Sequence, residues 1–209
     1  MADDTEKKSL FRPTLIVASL TSLSRVVGLI RDILISNVLG VSYITDIFII
    51  ALRIPNVFRR ITAEGAFSAA FIPMFSKKLI SNKIAAIKFS EDILFMSLII
   101  MISITSVLQI FMPFFIFIIA YGFTNDPIKY DLAINFSRIT APYILLISLS
   151  SIGIAILNSL GRYFASSLGP VIFNAVLVFI LILPINNISS MGYLLSFGVT
   201  FSGVIQFLL

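Results

Sequence analysis

Apolar residues run through this chain in long stretches, and polar residues collect in the short gaps between them. A helix crosses bilayer hydrocarbon with about 20 residues. On that ruler six stretches read as membrane helices: residues 13–39, 44–61, 93–121, 132–160, 168–184 and 191–209. A shorter amphipathic piece, 64–79, falls between the second and third. Membrane strands would need alternating segments of about ten residues, whereas these runs are longer and do not alternate. The gaps carry turn chemistry, as in Gly40-Val41-Ser42, 122–127 and 186–190. The pattern predicts an all-α membrane protein of about six transmembrane helices, with a cytoplasmic N-terminal segment at 1–12 and a helical body over 13–209.

Composition narrows the function classes. Charged residues make up 12% of the chain and apolar residues 58%, against about 25% charged in soluble domains. The first eleven residues are mixed in charge, and the apolar run after them lacks a small-residue cleavage site, so no cleaved signal peptide is expected. The chain has no cysteine and no histidine, which removes disulfides, thiolate nucleophiles, imidazole bases and the usual zinc ligands. An intramembrane enzyme is therefore disfavoured, and no cofactor is expected. The net charge of +5 does not point to nucleic acid, because the cations are scattered between apolar runs.

Loop charges predict orientation. Lys7, Lys8 and Arg12 precede the first stretch, Lys77, Lys78, Lys83 and Lys88 follow the second, and Arg162 follows the fourth. The alternate loops hold Lys129, with Arg138 just inside the fourth stretch. The positive-inside rule then puts the N-terminus and the lysine-rich loop in the cytoplasm. The chain stops at Leu209 inside an apolar run, which reads as truncation within the sixth helix.

The informative residues are the charges inside the first two stretches. An arginine near the bilayer centre costs roughly 2.5–3.5 kcal/mol even on insertion scales, so it is expected to face protein or a watery cavity. At about 100° per residue, Thr21, Ser24, Arg25, Gly28, Arg31 and Asp32 share one arc of roughly 120°. Val26, Val27, Leu29, Ile30, Ile33 and Leu34 fill the remainder. That division suits a helix lining an aqueous cavity, with Gly28 letting a backbone or substrate come close. It also suits an amphipathic helix with Arg25 paired to Asp32 for packing alone. In the second stretch Asp46, Arg53 and Arg60 recur every seven residues, but Pro55 interrupts the helix and its rotational phase. Arg59 and Arg60 fit either substrate contact or a snorkelling anchor. Arg138 beside Pro142 reads as an interfacial anchor at a kink, Asn158 and Asn174 as interhelical hydrogen-bond partners, and Gly169-Pro170 as a helix start.

The run Ser24-Arg25-Val26-Val27-Gly28-Leu29-Ile30-Arg31-Asp32 resembles the opening motif of the MurJ (MviN) lipid II flippases. So do Thr45-Asp46, Arg53-Ile54-Pro55-Asn56-Val57-Phe58-Arg59-Arg60 and Ala63-Glu64-Gly65-Ala66-Phe67-Ser68, and later Arg138-Ile139-Thr140 and Ala155-Ile156-Leu157-Asn158. The resemblance implies one lobe of a two-lobe exporter fold that works by alternating access in the bacterial cytoplasmic membrane. It implies Arg25, Arg31 and Arg59 as contacts to a lipid-linked peptidoglycan precursor, and Asp32 and Asp46, with Gly28, as gate or charge-partner positions. Arg53, Arg60 and Glu64 are further candidates, with Arg60 the more natural anchor. Membrane lipids and a separate C-terminal lobe are the implied partners, and an ion gradient or the membrane potential the implied drive. The alternatives are an inactive remnant or assembly factor, or an exporter of another lipid-linked sugar.

Overall fold

The structure, a computed structural model, describes residues 2–62 and 66–209, with side chains described for 14–61 and 67–209. Glu64 therefore lies outside the described residues. The helices are α1 (Ala2–Val38), α2 (Tyr43–Thr62), α3 (Ala66–Ser81), α4 (Lys83–Ile110), α5 (Met112–Ile119), α6 (Pro127–Thr140), α7 (Pro142–Ser159), α8 (Phe164–Leu181) and α9 (Ile188–Leu208). A 3₁₀ turn, Tyr121–Asn125, links α5 to α6.

Among the described residues, five segments are long and apolar enough to cross a membrane: Thr14–Val38, Lys83–Ile110, Pro127–Ser159, Phe164–Leu181 and Ile188–Leu208. The chain is a multi-pass membrane protein. The remaining expected span, α2, is helical throughout but carries Asp46, Arg53, Arg59 and Arg60 and does not reach the same apolarity. Helix α1 extends on its N-terminal side well beyond the expected start. The third and fourth expected spans are each broken, at Phe111 and at Ala141. Helix α8 starts at Phe164, so Pro170 lies within it and not in its first turn.

Local chemistry sets the helix ends. Gly40 takes a left-handed conformation with φ of 61° and ends the first helix. Ser42 then accepts from the Thr45 N–H and starts α2. Asn82, Asp126 and Asn187 each accept two N–H bonds at the starts of α4, α6 and α9. Pro127 occupies the first position of α6, where its missing N–H costs nothing.

The main core joins α2, α6, α7 and α9 through Ile44, Ile47, Phe48, Phe136, Tyr143, Ile144 and Leu195. Gly192 on α9 makes this packing possible, because a Cβ there would sit 2.6 Å from the Phe136 ring. A second cluster, with Phe71, Phe75, Ala86, Ile152 and Ala155, fastens the α3–α4 hairpin to α7. Pro55 leaves the Ala51 carbonyl without its helical donor, and Thr140 on α6 donates to that carbonyl at 3.1 Å. Helix α8 packs on α9, and α1 packs on α8 at the edge of the bundle. The edge position leaves one side of α1 open toward α2.

Candidate functional site

The open side of α1 forms a cavity of about 510 Å³ with α2 and α8. From α1 it takes Ser24, Arg25, Gly28, Leu29, Arg31 and Asp32, from α2 Leu52, Asn56, Arg59 and Arg60, and from α8 Pro170, Phe173 and Asn174. Four arginines thus share the described wall with one aspartate. Such a wall holds a surplus of positive charge and suits an anion.

Arg31 is tethered from two helices. Its Nε and one terminal nitrogen donate to Asp32 Oδ1 at 3.0 and 2.7 Å. The other terminal nitrogen donates to Asn174 Oδ1 at 2.7 Å. An arginine offers donors only, so the Asn174 amide must turn its oxygen toward Arg31. Its nitrogen then faces α1, where it donates to the Ser24 carbonyl at 3.2 Å and lies 3.4 Å from Ser24 Oγ. The guanidinium also lies 5.9 Å from the Phe173 ring centre. Arg31 is thereby held at its outer end by two helices, and its side chain keeps 22% exposure toward the cavity.

Gly28 gives this arrangement room. A Cβ at position 28 would sit 3.3 Å from Asn174 Nδ2, a tight contact, so glycine lets the amide lie close across α1 without being pushed aside. The close approach anticipated for a substrate or a backbone is filled by this side chain. The pairing of Arg25 with Asp32 does not form, because Arg31 takes Asp32. Arg25 is exposed at the rim with no hydrogen-bond or ion-pair partner among the described residues. Arg59 is half-buried, and Arg60 is exposed on the same wall. Val27 and Leu34, expected on the outer side of α1, are half-buried instead.

Two predicted site residues are elsewhere. Asp46 sits at the far end of α2, where Lys129 of α6 donates to it at 2.9 Å and also lies 4.2 Å from the Phe123 ring centre. Arg53 lines a different, apolar groove. Asp46, Arg53 and Arg60 do not form one site: Asp46 meets α6, Arg53 the groove toward α4 and α5, and Arg60 the cavity toward α1 and α8. Asn174 bridges helices as expected, whereas the buried Asn158 Oδ1 has no hydrogen-bond partner among the described residues. Asn56, Pro170 and Phe173 were not anticipated as members of the site. Asn56 had a signal: it lies three and four residues before Arg59 and Arg60, and such positions share a helix face. Among the described residues no cluster of three or more metal-ligating side chains occurs.

The family model for "Lipid II flippase MurJ" matches residues 35–209. The chain belongs to the MurJ family. A "Probable lipid II flippase MurJ" of Rhizobium meliloti (strain 1021) is 36% identical over 203 residues, covering 95% of this chain and 38% of the relative. A "Lipid II flippase MurJ" of Burkholderia cenocepacia is 35% identical over 201 residues, covering 96% of this chain and 39% of the relative. Among solved structures, "Lipid II flippase MurJ, inward closed conformation" matches with a TM-score of 0.76 and 25% identity, over 93% of this chain and 40% of that one. The chain thus spans about two-fifths of the length of these MurJ relatives and aligns with the solved structure as a partial lobe.

Proposed function

We propose that the chain forms the headgroup-binding lobe of a flippase for lipid-linked peptidoglycan precursor, working by alternating access opposite a second lobe. The carrying observation is the three-helix cavity, in which four arginines face one aspartate. A pyrophosphate cannot cross hydrocarbon unaided, and arginine recognises phosphate oxygens through a planar, permanently charged fork. Asp32 and the incoming phosphate compete for the same face of Arg31, which keeps binding reversible. Arg25 and Arg60 then supply charge without first surrendering a tether to Asp32, and Arg59 adds its charge to the same wall.

In this reading the protein sits in the bacterial cytoplasmic membrane with its N-terminus and the α3–α4 hairpin inside, as the lysines of that hairpin favour. The second lobe closes the open side of α1 and rocks against this one around the headgroup. An ion gradient or the membrane potential supplies the drive, each charge moved through the potential being worth about 2.3 kcal/mol per 100 mV. The relatives are named as flippases, in keeping with transport and not catalysis.

The test is complementation. Residues 1–209 are fused to the remaining length of the Burkholderia cenocepacia relative and expressed in cells depleted of their own flippase. Growth with the unmutated chimera, and its loss with Arg31→Ala at equal expression, is the expected result. Failure of the unmutated chimera, although it inserts in the membrane, would favour a remnant without transport.

A further inference from the structure

Among the described residues, Arg53 is the one charged side chain on the wall of a second cavity, of about 580 Å³, between α2, α4 and α5. The other walls are apolar, with Val57 and Phe58 from α2, Ile104 and Val107 from α4, and Phe115 and Ile119 from α5. Ser103 is also present, but its hydroxyl donates to the Ile99 carbonyl of its own helix at 2.8 Å and offers no proton to the groove. Arg53 itself is exposed and has no hydrogen-bond or ion-pair partner among the described residues. The groove adjoins the apolar face of α4, where Ile99, Ile100, Val107 and Ile110 are exposed.

A guanidinium beside hydrocarbon is costly unless an anion meets it. The walls, in turn, are wide and dry enough for a hydrocarbon chain. The two demands are met by one molecule with an acyl chain and an anionic head. We propose that this groove binds an acidic phospholipid of the surrounding membrane, one acyl chain lying between α2 and α4 and the phosphate meeting Arg53. The flexible arm of arginine lets its charged end rise toward the head while its methylenes stay against the apolar wall. The site is separate from the arginine-lined cavity, shares only α2 with it, and does not depend on the transport reading.

The chain has no tryptophan, so a single introduced indole reports one place. Phe115→Trp, with Ile104→Trp as a second reporter, is reconstituted in phosphatidylcholine vesicles containing a minority of brominated phosphatidylglycerol or of brominated phosphatidylcholine. Phe179→Trp, on an exposed face of α8, reads the bulk lipid. The groove reporters should be quenched more by the brominated acidic lipid, by about fivefold in relative affinity, as one cation near an anionic lipid supports. Arg53→Gln should abolish that preference and Arg53→Lys should retain most of it. Equal quenching by both lipids at the groove, or an equal preference at Phe179→Trp, would overturn the proposal. So would absence of quenching by either lipid, because the groove would then be covered by protein.

Discussion

Gln109 and Arg138 each satisfy the backbone carbonyl that the other one carries. Gln109 Nε2 donates to the Arg138 carbonyl at 2.7 Å, and Arg138 Nε donates to the Gln109 carbonyl at 3.2 Å. A helical carbonyl accepts from the N–H four residues on. Four residues after Gln109 is Pro113, and four after Arg138 is Pro142. Neither proline has a proton to give. The breaks at Phe111 and Ala141 are tolerated beside hydrocarbon because they face each other and exchange side-chain donors.

Gln109→Leu should therefore destabilise the protein by about 1–3 kcal/mol, the cost of an acceptor left unsatisfied away from water. The same substitution on a Pro142→Ala background should cost less, since the introduced alanine supplies the N–H that the Arg138 carbonyl lacks. Thermal unfolding of the four variants in one detergent measures both. An equal loss on both backgrounds would disprove the exchange.

Thr140 is fully buried and donates to the carbonyl freed by Pro55. Thr140→Val keeps the shape and should cost about 1–3 kcal/mol, whereas Thr140→Ser should be close to neutral. Unfolding midpoints compared at constant detergent concentration distinguish them.

In the flippase chimera, Arg31→Lys should lower transport by roughly tenfold to a hundredfold. Lysine keeps the charge but cannot fork between Asp32 and Asn174. Asn174→Leu should lower it too, because the guanidinium loses its tether to α8. Uptake of labelled precursor into vesicles, normalised to inserted protein, reads both. Wild-type rates for Arg31→Lys would remove the role of geometry and leave charge alone.

Gly28→Ala brings a methyl to 3.3 Å from the Asn174 amide. The amide must yield by a few tenths of an ångström, so the Arg31 tether weakens while the helices stay packed. The expected signature is reduced transport with a melting temperature nearly unchanged. Gly28→Leu should also separate α1 from α8 and lower the melting temperature.

Asp46→Asn should change stability by less than about 1 kcal/mol, as exposed ion pairs do. Asp46 is 59% exposed, and Lys129 retains its contact with the Phe123 ring. Lys129→Ala should cost more than Asp46→Asn, since it removes the pair and the cation–π contact together. Chemical denaturation of the two single variants and the double variant checks the order.

Most of the helical framework was legible in the chain, and so was half of the cavity. The apolar runs, the turn at Gly40, the arc of Arg25, Gly28, Arg31 and Asp32, and the neighbouring charges Arg59 and Arg60 all follow from local pattern. Pro142 marked a break, but Pro113 and Gln109 gave no sign that they would answer it. Asp46, Arg53 and Arg60 recur every seven residues but, across the Pro55 interruption, serve three surroundings: an ion pair at one end, an apolar groove in the middle and the polar cavity at the other end.

The sequence by itself determined the helices, the surplus of arginine and the faces on which the charges of α1 lie. These depend on hydropathy and on a fixed rotation per residue, both of which are local. Only the tertiary structure decided what each face meets. Asn174 reaches Arg31 across 143 positions of chain, and α8 closes a cavity that α1 and α2 only begin. Such meetings depend on how distant helices pack, on the glycine that lets them approach and on the backbone carbonyls that need partners, none of which is written in any single segment.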